Sequence, residues 1–248
     1  MDDDSRGFGP WPVESPSPTV RRTAMMREAY HEQLDLLIED LARMVVLVED
    51  SMARATAALL DADAEAAWRV VGGEAALAAI CSDIDERALI LAARQQPVAG
   101  DLRTIVAALR INADLERMGQ LARHVADVAI RRHPRPAVPA QLRETVARMN
   151  KVAGRITAEV ARALTMRDWR AAELLDRDDD AMDLLQQELY LRVLDASWPH
   201  DAEVTVDATL IGRFFERYAD HAVSVAHRIA FLAGHEPLDR PVPSAAPK

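Results

Sequence analysis

The sequence is poor in aromatic residues, glycine and cysteine. Aromatic side chains make up 4% of the 248 residues, and there are nine glycines. Because β-sheets favour aromatic and β-branched residues, this composition argues against a sheet protein. Half of the residues are hydrophobic, and Ala and Leu predominate among them, which favours packed helices. The single cysteine, Cys81, cannot form an internal disulfide, so a reducing cytoplasm is expected.

Positive charge and long apolar runs are also scarce. Thirty Lys and Arg residues face forty Asp and Glu residues, which gives a formal net charge of −10. This balance argues against a general nucleic-acid binder, since Lys and Arg carry phosphate affinity, but it is compatible with metal ions or basic partner surfaces. No apolar run approaches the roughly 18 residues that span a bilayer. The acidic N-terminus lacks the apolar region of a secretory signal.

Proline placement outlines the helices. Prolines cluster at both ends of the chain and in a central linker, and the stretches between them show three- and four-residue apolar spacing. Since proline breaks a helix interior and this spacing marks one helix face, six helices are predicted. Four aspartates, Asp63, Asp101, Asp168 and Asp201, are candidate N-caps. The predicted helices cover residues 26–60, 63–95, 101–131, 141–165, 169–197 and 202–233.

The two halves of the chain resemble each other. Residues 101–130 and 201–230 share nine identities at an offset of 100, and Pro97 and Pro199 occupy similar places before the third helix of each half. The sequence therefore predicts an all-α fold of two tandem up-down three-helix bundles related by internal duplication. The predicted segments are a disordered Pro-rich tail (1–24), the first three-helix repeat (25–133), a linker (134–140), the second repeat (141–234) and a disordered tail (235–248).

Pairs of acids are candidate metal ligands. Glu216 and Asp220 lie four residues apart, which places them on one helix face, and the helical wheel sets them opposite the apolar stripe. Asp179 and Asp183 flank the stripe of the preceding helix, so antiparallel packing brings four carboxylates near each other as hard oxygen ligands. The chain contains seven such acid pairs. An ordinary solvated face therefore stays open as the other interpretation.

Several segments resemble a known family. The stretches "QPVAGDLR" and "DLERMG" in the first half, with "MREAYHEQLDLLIEDLARM" before them, and "DDAMDLL" and "FFERYADHAVSVA" in the second half look like the PhoU family of phosphate-transport accessory and regulatory proteins. The resemblance covers about residues 25–233. It implies two three-helix bundles whose acidic motifs bind multinuclear clusters of iron or zinc; Mg or Mn are further candidates.

The resemblance also implies particular site residues. The second-repeat motifs are intact, whereas in the first repeat Ala78 and Gln120 stand where the second acid of each pair belongs. His227 replaces an acid often found at its place in the family and is expected to be a polar surface residue. The implied metal ligands are Asp179, Asp183, Glu216 and Asp220, with a weaker first-repeat site of Glu74, Glu116 and Asp127.

The function that the resemblance implies is a cytoplasmic negative regulator of phosphate uptake and of phosphate-starvation signalling. It would bind the ATPase of the Pst phosphate transporter and a phosphate-sensing histidine kinase, form a homodimer, and reach the membrane only through partners. No catalytic residues are predicted. Two alternatives stay open: a structural helical scaffold, and a carboxylate-bridged di-iron enzyme, which needs two Glu-x-x-His motifs where the chain has one, Glu28 to His31. Met1 and Met26 are both candidate translation starts.

Overall fold

A computed structural model describes residues 18–94, 97–166 and 171–232. The described residues form six helices and no strand. In chain order these are α1 (Pro18–Asp61), α2 (Ala64–Arg94), α3 (Ala99–Arg132), α4 (Ala140–Met166), α5 (Ala171–Val193) and α6 (Ala202–Leu232). The prediction of an all-α fold with two runs of three helices is confirmed.

The first helix begins earlier than predicted. Residues 18–24 belong to the segment predicted as a disordered Pro-rich tail, yet they form the first turns of α1. Proline is well tolerated at the first position of a helix, where its missing N–H has no intrahelical partner in any case. Among the side chains of α1 whose burial the structure describes, Tyr30 is the first that is buried. Residues 1–17 and 233–248, which include the rest of both predicted tails, lie outside the described residues.

Two of the four predicted aspartate caps are present. Asp63 Oδ1 accepts a hydrogen bond from the Ala66 N–H at 2.9 Å, and Asp201 Oδ1 accepts one from Val204 at the same distance. The prediction for Asp101 is wrong, because α3 begins two residues earlier and Val98 occupies the N-cap without a side-chain hydrogen bond. Asp168 lies outside the described residues. Helix α5 ends before its predicted limit, where the Asp195 side chain accepts the Ser197 N–H in a tight turn.

The two repeats pack side by side through α3 and α6. Helix α1 also contacts α4, while within the described residues α2 and α5 pack only against helices of their own repeat. The buried apolar side chains of both repeats form one continuous core. Consequently each repeat presents an outer helix, α2 or α5, beside its third helix, and the predicted acidic motifs lie along these two pairs.

Buried polar contacts join α3 to α6. Asp114 Oδ1 lies 3.1 Å from His221 Nδ1, and the other oxygen pairs with Arg228. At the opposite end, Arg132 of α3 pairs with Asp207 of α6. The carboxylates of Asp114 and Asp207 are almost fully buried. Since buried charges need partners, these pairs fix how the repeats sit against each other.

Candidate metal centre

The second-repeat acids lie between α5 and α6. Burial raises the pKa of Asp183, and the nearby Asp220 and Asp180 raise it further. The pKa of Glu216 is raised by burial and then by Asp220 and Asp183, against the opposing charge of Arg213. Carboxylates raise each other's pKa only when they are close. The carboxylates of Asp183, Glu216 and Asp220 are therefore near enough to interact electrostatically, and Asp179 is half-buried one turn before Asp183.

Glu216 sits deeper than the helical wheel indicates. Its side chain is only 14% exposed, and one oxygen accepts a hydrogen bond from Arg213 on the same helix. The other oxygen, Oε2, is buried and has no hydrogen-bond partner in the described part of the chain. Burial of an unpaired carboxylate oxygen is unfavourable. This oxygen is the clearest place in the cluster for an additional cation.

Asp220 shares this environment. Burial raises its pKa, and the positive charges of Arg213, His221 and Arg217 act in the opposite direction. The pKa of Asp220 is raised in spite of these positive charges, because the effect of burial is larger. Carboxylate oxygens are hard ligands that suit Mg²⁺, Mn²⁺, Ca²⁺ and iron.

The cluster is not a preformed metal cage. Across residues 18–94, 97–166 and 171–232, no group of three or more His, Cys, Asp and Glu side chains is arranged so that it could hold one metal ion. The donor chemistry and the unpartnered oxygen of Glu216 fit a hard cation. The carboxylate oxygens would have to rotate toward each other to ligate it.

Two sequence expectations about α6 are wrong. Glu216 and Asp220 were placed opposite the apolar stripe, yet both are half-buried, because α6 packs against α5 on one side and α3 and α4 on the others. For the same reason His227, expected at the surface, is 5% exposed.

The matching place in the first repeat contains an arginine. Arg123 of α3 donates from Nη1 to Glu74 Oε1 of α2 at 3.3 Å, and its Nε lies 3.2 Å from Glu74 Oε2. The same Nε lies 3.6 Å from Asp127 Oδ2. Two of the three residues of the predicted weaker site are therefore already paired. Sequence reasoning missed Arg123, although its place one turn before Asp127 was a usable signal.

Glu116, the third residue of the weaker site, faces an amide. Gln120 donates from Nε2 to Glu116 Oε1 at 3.5 Å and accepts from Arg117 Nη1 at 2.9 Å. Ala78 is exposed and offers no ligand atom. The first repeat therefore lacks the excess negative charge of the second.

The Glu-x-x-His motif does not form an inward-facing site. Glu28 is exposed, and His31 is 47% exposed with its Nε2 at 3.3 Å from Asp101 of α3. Ferritin-like di-iron proteins project such motifs into the bundle core. The placement of this motif gives no support to the di-iron alternative.

None of the helices in the described parts of the chain combines the length and the apolar character that a bilayer crossing requires.

Comparison with known proteins connects both repeats to one family. The PhoU domain model matches residues 41–129 and again 146–229. The phosphate-specific transport system accessory protein PhoU homolog 2 of Mycobacterium tuberculosis is 44% identical over 208 residues, which cover 84% of this chain and 98% of that protein. PhoU homolog 1 of Mycobacterium leprae is 43% identical over 221 residues, 89% of this chain and 100% of that protein.

Solved crystal structures of PhoU proteins have the same fold as this chain. The crystal structure of PhoU from Pseudomonas aeruginosa superposes with a TM-score of 0.73 at 26% identity and covers 84% of this chain and 100% of that one. The phosphate transport system regulatory protein PhoU from Streptococcus pneumoniae, with a TM-score of 0.76, 20% identity, and coverage of 85% and 100%, shares the fold. Both repeats, the six-helix architecture and the extent of these matches show that the chain belongs to the PhoU family.

Proposed function

We propose that this protein is a regulator of phosphate uptake that acts by binding rather than by catalysis. The observation that carries the proposal is the match of a PhoU domain to each of the two repeats, together with relatives named as accessory proteins of the phosphate-specific transport system. In this proposal the protein works in the cytoplasm, lowers phosphate uptake and starvation signalling when phosphate is plentiful, and forms a homodimer.

The proposed partners are the ATPase of the Pst transporter and a phosphate-sensing histidine kinase. Protein with an affinity tag is mixed with each purified partner, and binding is measured by pull-down and size-exclusion chromatography. Chromatography of the protein alone gives its oligomeric state. Failure to bind either partner at micromolar concentrations, with or without added metal, would refute this part of the proposal.

The regulatory role is tested in cells. Deletion of the gene is expected to raise expression of phosphate-starvation genes in phosphate-rich medium, and the wild-type gene should restore repression. Replacement of Asp179 and Asp183 by asparagine removes two charges while keeping the side-chain shape, so weaker complementation by this variant would connect the acid cluster to regulation.

The metal proposal concerns the second repeat. Asp179, Asp183, Glu216 and Asp220 are proposed to hold iron or zinc, with Mg or Mn as further candidates, because the pKa values of Asp183, Glu216 and Asp220 are raised and Glu216 Oε2 is buried without a hydrogen-bond partner among the described residues. Protein purified without added metal is analysed for bound metal. Asp220→Asn should remove most of it, whereas Glu116→Gln should remove little. Equal losses from both changes would contradict the asymmetry.

The alternatives give different results in the same experiments. A structural scaffold would bind neither metal nor partners. A metal-dependent enzyme would hydrolyse phosphate esters at many turnovers per second and lose this activity when Asp179 and Asp183 are replaced, since metal-bound water is a nucleophile.

A further inference from the structure

Arg123 bridges the two helices that carry the first-repeat acids. Its Nη1 donates a hydrogen bond to Glu74 Oε1 of α2 at 3.3 Å, and its Nε lies 3.2 Å from Glu74 Oε2 in an ionic contact without a hydrogen-bond partner among the described residues. Asp127, one turn further along α3, lies on the same nitrogen at 3.6 Å. The guanidinium thus occupies the space between the carboxylates, as a bound cation would.

Among the side chains that the structure describes, the second repeat shows no equivalent of this contact. At the offset of 100 that relates the repeats, Arg123 corresponds to Val223, which is 1% exposed and belongs to the apolar core. Arg213 does contact Glu216, but it lies on the same helix three residues away and is 53% exposed. It reaches one oxygen of Glu216 and leaves Oε2 without a hydrogen bond.

The two cations differ in physical behaviour. A guanidinium stays protonated throughout the accessible pH range and matches a carboxylate with a rigid fork of donors. It is also tethered to the chain, so chelators and metal supply do not affect it. A metal ion that bound in the first repeat would have to displace Arg123 from Glu74. The positive guanidinium would then stay close to the positive metal ion.

We propose that Arg123 is a built-in cation that takes the place of a metal ion between α2 and α3, and that metal binding is thereby confined to the second repeat. The inference rests on the metal binding proposed above for the second repeat. The missing acids at positions 78 and 120 explain only part of this proposed difference in metal binding between the repeats. The inference assigns the remaining part to Arg123.

The test separates the arginine from the missing acids. Every variant carries Asp220→Asn, which disables the second repeat, so that bound metal reports on the first. One variant restores the acids with Ala78→Asp and Gln120→Asp, and a second adds Arg123→Met, which keeps an apolar stem but removes the charge. Zinc binding is measured by equilibrium dialysis and metal analysis, and zinc-dependent stabilisation by thermal unfolding.

Removal of Arg123 is expected to tighten zinc binding of the acid-restored variant by about tenfold or more, because a positive charge beside the divalent ion is removed. The matched control is Arg69→Met in the acid-restored protein. Arg69 pairs with Glu65 at 2.7 Å on α2, and its loss should leave zinc binding unchanged. Arg123→Gln serves as a second variant if the methionine variant does not fold.

Two results would overturn the inference. If the acid-restored protein binds zinc equally well with and without Arg123, the arginine does not exclude the metal. If neither variant binds zinc, the arginine is not what keeps metal out. If the metal proposal itself is wrong, the protein with an intact second repeat contains no metal. The zinc affinities of the acid-restored variants with and without Arg123 can still be compared in that case.

Discussion

The buried ion pair between Arg132 and Asp207 gives the sharpest prediction about how the repeats are held together. Both side chains are 8% exposed, and the pair joins the last turn of α3 to the first turns of α6. Arg132 also contacts Glu203 at 2.7 Å, but Glu203 is 70% exposed. Arg131 approaches the same aspartate at 3.4 Å from a more exposed position.

Asp207→Asn keeps the shape of the side chain and removes its charge. The guanidinium of Arg132 then stays buried with only the solvated Glu203 as an ionic partner. Loss of one member of a buried ion pair costs about 3–5 kcal/mol, and the remaining contact with Glu203 places this case near the lower end. For a chain of this size each kcal/mol lowers the melting temperature by roughly 2–4 °C, so a decrease of roughly 6–12 °C is expected.

Thermal and urea unfolding of the full chain measure this effect. The control is Glu65→Gln, which removes an exposed pair with Arg69 and should cost less than about 1 kcal/mol. The double variant Arg132→Met with Asp207→Leu should recover most of the lost stability, because apolar side chains of similar volume often replace a buried pair without loss. If Asp207→Asn is no less stable than Glu65→Gln, the pair does not hold the repeats together.

Three further predictions concern stability. In the presence of a chelator, Asp220→Asn should raise the melting temperature at neutral pH. Burial raises the pKa of Asp220 in the folded chain, so its ionised form destabilises the fold. The gain in melting temperature should vanish below a pH of about 3.9, where this aspartate is protonated in the unfolded chain as well; a gain that persists there would contradict this explanation. Gly73→Ala should add about 0.5–1 kcal/mol in urea unfolding, since Gly73 is exposed inside α2 and an added Cβ meets no atom within 4 Å; a loss of stability would show an unseen contact. Truncation to Met26 should leave the melting temperature nearly unchanged, since the described side chains of α1 that precede Tyr30 are exposed, and a drop of several degrees would refute this.

The helices and the duplication were predictable because they depend on local chemistry. Proline excludes itself from helix interiors, and the third helices retain enough identities to reveal the offset. Asp63 and Asp201 cap helices as predicted. The early start of α1 was not predictable from the fact that proline breaks helix interiors, because proline also suits the first position of a helix. Whether a proline breaks or begins a helix depends on its structural context.

The spacing of the acids along α6 was predictable from the sequence, but their burial was not. Helical spacing put Glu216 and Asp220 on one face, and the structure agrees. A helical wheel, however, assumes one buried face, whereas α6 packs against three other helices. That packing buries Glu216 and His227. The reach of Arg123 to Glu74 joins residues 49 positions apart, and nothing in the local sequence encodes such a contact.

The difference between the repeats has a consequence for how metal would affect the whole protein. The Arg123 contacts are intramolecular and independent of concentration, whereas a metal ion in the second repeat would stabilise the folded state in proportion to the logarithm of its concentration. Only the pair α5–α6 would respond directly. Yet α6 also contributes to the shared core and carries the partners of Asp114 and Arg132. A change in the acid cluster would therefore reach α3 through α6, while α2 and α3 keep their own fixed cation. If the proposed site binds metal, the first repeat would therefore stay unchanged while the second repeat responds to the metal concentration.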